Sequence, residues 1–253
     1  MPTRTDWEED PEKKLKRLAL GGGDELPIHQ AIRAGDIEAV RRLARDVATI
    51  DVPNPKGFAP ILLAANAGSL EMVRILAEAG ADLSASSIWG TPLDVAVRSG
   101  HREIVVYLLT RGADPCQYGL DDSPFWCAVE RDDIKLLKIL LDHANSDEVS
   151  YCVASAISLA MRKNRIPMAK TILDRCSPCP EFLLQRSLLD AVEMENEEAV
   201  SLLLDYGADP RKEYGVDRPV SPLDKAKKAG NERILRLFTG KEKPSFWRRL
   251  FRR

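Results

Sequence analysis

The chain is expected to fold as an all-α solenoid of antiparallel helix pairs, on three observations. A small residue recurs as Ala31, Ala64, Ala96, Ala128, Ala160, Ala191 and Ala226, at steps of 33, 32, 32, 32, 31 and 35 residues. A second column, Val40, Val73, Val105, Leu137, Ala169, Val200 and Leu235, advances by identical steps. Around that second column apolar residues fall at helical spacing, as in Ile104, Val105, Leu108 and Leu109 or Val200, Leu203 and Leu204. Two columns marching together mark a repeat protein, in which one helix pair cannot bury its apolar face alone and stacking supplies the core.

Within a unit, Ser or Thr before Pro, as at Thr91-Pro92, Ser123-Pro124 and Ser221-Pro222, suits the N-cap and first turn of a short helix. The small column residue follows, where the next unit packs closely. Gly35, Gly68, Gly100 and Gly230 then suit a turn with positive φ between the helices. Asp132 and Asn164 occupy the same slot and tolerate it. Glu195 does not suit it, so repeat six is expected to turn differently. The second helix of each pair is amphipathic.

These units resemble the ankyrin repeat. Pro27-Ile28-His29, Ala59-Pro60-Ile61, Thr91-Pro92-Leu93, Ser123-Pro124-Phe125 and Ser221-Pro222-Leu223 match its Thr-Pro-Leu-His block. Gly80-Ala81-Asp82, Gly112-Ala113-Asp114 and Gly207-Ala208-Asp209 match its Gly-Ala-Asp block. Repeats five and six are degenerate: Ser155-Ala156-Ile157 and Arg186-Ser187-Leu188 lack the Pro, and Cys176-Ser177-Pro178 replaces Gly-Ala-Asp. The resemblance implies seven ankyrin-like repeats with short β-turn finger loops, stacked into a curved solenoid with one concave face. It also implies that His29 and His101 make structural hydrogen bonds across the repeat.

Three segments follow. Residues 1–23 read as an N-terminal capping helix or arm, with Asp10 as N-cap, Leu15, Leu18 and Ala19 on one face, and a stop at Gly21-Gly22-Gly23. Residues 24–240 form the solenoid. Residues 241–253 are a basic amphipathic tail, with Phe246, Trp247, Leu250 and Phe251 on one face and Arg248, Arg249, Arg252 and Arg253 on the other. Such a segment suits an anionic lipid surface, a partner's groove, or a cover for the last repeat.

Composition narrows the function classes. Lys+Arg 37 against Asp+Glu 39 is too balanced for a global polyanion binder, so no nucleic-acid partner is expected. No apolar run reaches about 18 residues, which predicts no transmembrane helix. The first ten residues carry Arg4, Asp6, Glu8, Glu9 and Asp10 and no apolar stretch, which predicts no secretory signal. Five cysteines, an odd number, then read as reduced thiols in a cytoplasmic protein.

No Gly-rich phosphate loop, Ser/His/Asp arrangement or His-Glu-x-x-His motif occurs in the sequence. The expectation is a non-catalytic protein without cofactor. Cys176-Ser177-Pro178-Cys179 is half of a zinc site, and Cys152 and His143 lie one loop earlier. That spacing belongs to no standard zinc module, so the segment reads as an eroded turn with two thiols and no metal is expected. His143 ends a second helix, where a cation suits the dipole.

The resemblance places two variable positions per repeat, just before the interhelix turn, on the concave face. They are Arg33/Ala34, Asn66/Ala67, Arg98/Ser99, Glu130/Arg131, Arg162/Lys163, Glu193/Met194 and Lys228/Ala229. Six are basic and two acidic, so a mildly basic stripe is expected. Finger tips carry Phe58, Trp89, Tyr118, Tyr151 and Tyr214, and aromatics with Arg make hot spots. The candidate partner-binding residues are Arg33, Asn66, Trp89, Arg98, Tyr118, Glu130, Arg131, Arg162, Lys163, Glu193 and Tyr214. A monomer that binds a protein with an acidic or acidic-aromatic surface, as adaptor, scaffold or inhibitor, is the leading reading. The alternatives are an immunity-type protein that occludes an enzyme or toxin stoichiometrically, and a membrane-surface recruiter that makes a weak anionic-lipid contact through Phe246, Trp247, Arg248, Arg249, Leu250 and Phe251.

Overall fold

The computed structural model describes residues 25–117, 123–144, 152–215 and 219–239, and every regular element among them is a helix. Isolated bridges pair Ser87 with Gly90 and Tyr214 with Val220 at finger loops. The chain divides into two compact units, Met1–Pro124 and Phe125–Arg253. Tyr118, Tyr151, residues 1–23 and the tail 241–253 lie outside the described residues.

The first unit holds three helix pairs: α1 (Pro27–Ala34) with α2 (Ile37–Leu43), α3 (Pro60–Ala67) with α4 (Leu70–Glu78), and α5 (Pro92–Ser99) with α6 (Arg102–Thr110). First helices stack α1 on α3 on α5, and second helices α2 on α4 on α6. Ala31, Ala64 and Ala96 are buried between them, and Val40, Val73 and Val105 form the parallel column. A methyl side chain in the first column is what lets neighbouring helices close to contact.

The second unit begins one residue into α7 (Pro124–Glu130), which is followed by α8 (Ile134–His143). It continues with α9 (Ala154–Arg162) and α10 (Ile166–Arg175), α11 (Glu181–Glu193) and α12 (Glu197–Asp205), and α13 (Pro222–Ala229) and α14 (Glu232–Phe238). Here α9 packs on α11 and α11 on α13, while α8, α10, α12 and α14 follow in their own row. Ala128, Ala160, Ala191 and Ala226 are fully buried. Both columns read from the sequence are therefore structural, with Leu235 of the last pair only half-buried.

Local chemistry explains the helix ends. Thr91 and Asp94 form a capping box: Thr91 N–H donates to Asp94 Oδ2 at 2.7 Å, and Asp94 N–H to Thr91 Oγ1 at 3.2 Å. Burial holds the Asp94 carboxyl above its ordinary pKa, and the Thr91 hydrogen bonds pull it back down. Ser221 caps α13 through the N–H of Asp224 at 3.0 Å. Leu26 and Ala59 offer no capping side chain, and Pro27 and Pro60 start those helices instead. Asp36, Ser69, Asp133, Asn196 and Asn231 cap second helices.

The interhelix slot corrects one expectation. Glu195 adopts φ 54°, beside 57° at Asp132 and 53° at Asn164, so repeat six turns as the others do. Its N–H bonds Val192 O at 3.1 Å and that of Asn196 bonds Ala191 O at 3.0 Å, the pattern that Gly100 and His101 make in the third pair. Stacking sets the turn, and the side chain there bears a left-handed penalty of about 1–2 kcal/mol. Glu195→Gly should therefore raise the unfolding free energy by about 0.5–1 kcal/mol after glycine's own entropy loss. Urea denaturation with an unchanged slope checks it.

Two further expectations are corrected. Without a Pro at Ser187, α11 runs back to Glu181, where Pro180 sets its start, so a thirteen-residue helix replaces the short one expected. Cys116 and Cys152 are each disulfide-bonded, whereas Cys127, Cys176 and Cys179 keep their thiols. Cysteine parity in a sequence does not register which sulfurs a fold brings within bonding reach.

The histidines divide. His101 Nε2 meets Asn66 O across the repeat at 3.3 Å, as expected. Its ring also fills the space over Gly68, where a Cβ would lie 2.5 Å from His101 Cε1. His29 is fully buried, and its ring lies against the Val52 and Phe58 backbone without reaching full hydrogen-bond geometry. Burial holds its imidazole below the ordinary pKa, against the opposing pull of Glu25 and of the Val52 and Phe58 backbone.

Candidate functional site

The finger loop ahead of α3 is organised by one buried side chain. Asn54 is 2% exposed. Its Oδ1 accepts the N–H groups of Lys56 and Phe58, both at 3.0 Å, and its Nδ2 donates to Glu25 Oε1 at 3.1 Å. Gly57 N–H to Asn54 O at 2.8 Å and Asn54 N–H to Phe58 O at 2.9 Å close the turn. Lys56 and Phe58 are thereby held at the rim of the first helices.

The loop ahead of α5 is a tight turn. Ser87 N–H donates to Gly90 O at 3.1 Å and Gly90 N–H to Ser87 O at 3.0 Å, while Ser87 Oγ accepts Trp89 N–H at 3.0 Å. Ile88 and Trp89 stand at its tip, 74% and 49% exposed. From the last turn of α5, Arg98 donates to Trp89 O at 3.2 Å and sets its guanidinium 6.0 Å from the indole centroid. A cation–π contact and a hydrogen bond thus hold the two side chains together.

These loops and α1, α3 and α5 enclose a groove of about 800 Å3. Its floor includes Ile32, Leu63 and Val95, its walls Phe58, Ile88 and Trp89, and its charged lining Arg33, Lys56 and Arg98. Among the described residues no carboxylate lines it. Arg33 is engaged by Glu25 at 2.9 Å from outside the groove, and Asn66 Oδ1 accepts Ser99 Oγ–H at 3.4 Å.

The candidate residues fall into two groups. Arg33, Asn66, Trp89 and Arg98 line this one groove. Glu130, Arg131, Arg162, Lys163, Glu193 and Tyr214 belong to the second unit. There Lys163 Nζ bonds Glu130 Oε1 at 2.6 Å, and Glu193 pairs with Lys225. Arg162 borders a depression of about 370 Å3 shared with Met194, Glu195, Glu197 and Glu198. Tyr214 is half-buried and exchanges backbone hydrogen bonds with Val220 at 3.2 Å. The basic stripe read from the sequence is thus partly neutralised in the second unit. Lys56, Ile88 and Asn54 escaped the sequence reading, although the Asn54-Pro55-Lys56-Gly57 segment carries a turn signature.

The cysteine cluster offers little to a metal. Cys152 is in disulfide linkage. The Cys179 thiol is pushed up to about 11 by burial and by Cys176 and Asp174, and it donates to Leu173 O at 3.3 Å, so it is held away from the thiolate a metal needs. His143 Nδ1 meets Ile139 O at 2.9 Å. Among the described residues no group of three or more His, Cys, Asp or Glu is placed to hold a metal ion, and no helix is long and apolar enough to cross a membrane.

Residues 28–119 match the family model described as ankyrin repeats (3 copies). Protein phosphatase 1 regulatory subunit 27 of Mus musculus is 41% identical over 86 residues, which is 33% of this chain and 55% of that protein. The ARF GTPase-activating protein GIT1 of Mus musculus is 25% identical over 203 residues, 76% of this chain and 26% of that protein. The chain thus spans about half, or less, of the length of these relatives. The human ASB11 ankyrin repeat domain matches in fold with a TM-score of 0.60 at 24% identity, over 87% of this chain and 99% of that one.

Proposed function

The chain is an ankyrin-repeat protein, and from that premise we propose that it is a non-catalytic protein-interaction module that binds its partner chiefly through the groove of the first unit. The observation that carries this reading is the convergence of Arg33, Asn66, Trp89 and Arg98 on one apolar-floored groove of about 800 Å3. The fingers are hydrogen-bonded before any partner arrives, so little conformational entropy is lost on association. Trp89 supplies a large, half-exposed apolar surface and Arg98 a pre-positioned charge, the residue types on which binding energy concentrates. A protein partner with an acidic or acidic-aromatic surface fits that chemistry, and the chain is proposed to act as a monomer. A regulatory role agrees with the similarity to protein phosphatase 1 regulatory subunit 27. A cytoplasmic site of action, expected from cysteine parity, loses that support with two cysteines in disulfide linkage.

Affinity capture from the native cell with the whole chain tests the proposal. Trp89→Ala with Arg98→Glu should deplete the captured partner about tenfold or more, while Arg131→Glu with Arg162→Glu should leave most of it. Equal capture by wild type and the first variant would move binding to another surface.

A further inference from the structure

Resting on the interaction-module reading, we propose that the first unit recognises its partner by an apolar anchor. The anchor is a bulky Leu, Ile, Phe or Trp side chain on a segment of a partner protein, with no basic residue beside it. It seats over Leu63, between the walls that Phe58 and Trp89 provide. At about 800 Å3 the groove lies in the range of about 300–1,000 Å3 that engulfs a compact ligand, so it takes a segment and not a folded domain.

The apolar part of the lining is open. Phe58 and Leu63 are half-buried, and Ile88 and Trp89 are 74% and 49% exposed. The polar part is already engaged within the protein. Arg33 has Glu25 at 2.9 Å. Arg98 donates to Trp89 O, holds its guanidinium 6.0 Å from the indole centroid, and acts by its charge on the Asp94 carboxylate. Asn66 accepts Ser99 Oγ–H at 3.4 Å. A charged ligand group entering the groove would lose hydration and find these cations taken. An apolar side chain has no such loss, and it releases water from both surfaces.

Charge then chooses among apolar occupants. Lys56 is exposed at the rim and has no ion pair among the described residues. It repels a Lys or Arg adjacent to the anchor. That disfavours the chain's own tail, in which Arg248 and Arg249 follow Trp247, and Arg252 and Arg253 follow Phe251. A two-fold pair of copies joined through this face would set the Lys56 rim against itself. A separate partner with an uncharged or acidic flank avoids both conflicts, and its acidic character acts at the rim, on Lys56, rather than inside the groove.

Random peptides displayed on phage and selected on the immobilised full chain test this. Enriched sequences should share a large apolar residue with no Lys or Arg next to it. A synthetic peptide of the enriched sequence should bind Trp89→Ala about tenfold or more weakly, and Ile88→Ala about threefold or more weakly. Ile88→Ala changes a side chain already 74% exposed, which keeps the test valid if Trp89→Ala disturbs its finger. Val47 is equally exposed but lies off the lining, so Val47→Ala should bind as wild type does. Affinity should change less than about threefold between low and high salt, and binding should show a negative heat-capacity change. Placing Lys beside the peptide's anchor should weaken binding to wild type about threefold or more, and that loss should vanish with Lys56→Glu.

Enrichment that requires an acidic residue, a steep salt dependence, equal losses with Val47→Ala and Ile88→Ala, or no enrichment overturns the proposal and leaves the interaction-module reading standing. That reading falls separately, if whole-cell capture yields no partner sensitive to a variant of either unit. Tighter peptide binding after deletion of residues 244–253, or release of self-association by the peptide, would make the chain's own tail or a second copy the occupant and overturn a separate partner.

Discussion

Ala96→Glu should unfold the first unit under conditions in which Arg98→Glu leaves it folded. The two positions lie two residues apart on α5, yet one faces the stack and the other the groove. Ala96 is fully buried, and its carbonyl is already taken by the N–H of His101 at 2.9 Å. A carboxylate placed there meets apolar neighbours and no donor, which costs several kcal/mol, and overpacking adds about 1–3 kcal/mol. Against a total stability of about 5–15 kcal/mol for a domain, that loss is severe. It should shrink as the pH falls, because the introduced carboxyl is neutralised more easily than it is buried charged. Arg98→Glu loses a partly exposed cation–π contact of about 0.5–1 kcal/mol. Thermal melts at neutral and acidic pH compare them, and equal losses would mean that Ala96 does not lie in the stack.

Asn54→Leu should also destabilise the first unit, for a reason that apolar burial does not repair. Substitution leaves the N–H groups of Lys56 and Phe58 and the Glu25 carboxylate without the bonds that Asn54 supplies. Lys56 is exposed, Phe58 half-buried, and Glu25 keeps its Arg33 partner, so the cost is that of about one buried group left unsatisfied, about 1–3 kcal/mol in urea unfolding. Groove binding should fall with it, since Lys56 and Phe58 lose their support. Asn54→Asp separates the contributions. It keeps the acceptor for both N–H groups but turns a carboxylate toward Glu25. Its penalty should therefore be present at neutral pH and fade in acid as the introduced carboxyl protonates. An Asn54→Asp protein as stable as wild type at neutral pH would show that the Glu25 contact contributes nothing.

The amino-acid sequence by itself determined the repeat, its register and its core. Ala64, Ala96, Ala128 and their counterparts are buried where the period places them, because each unit contacts only its neighbours and the same packing demand recurs at each step. Turn residues were legible for a similar reason: Gly35, Gly100 and Asn164 act through their own backbone. What only the tertiary structure decided depends on partners about one repeat or more away or on packing that overrides local preference. Glu195 takes a left-handed turn against its own propensity because stacking of α11 and α12 imposes it. The charge at Lys163 is offset by Glu130, a pairing of side chains 33 residues apart that no count of charges along a stripe contains. The groove opens between Trp89, Arg98 and Phe58 rather than evenly along the repeats, because Asn54 and Ser87 shape those two fingers through hydrogen bonds. Periodicity records the contacts that every repeat shares, whereas the site is made of those that single repeats do not.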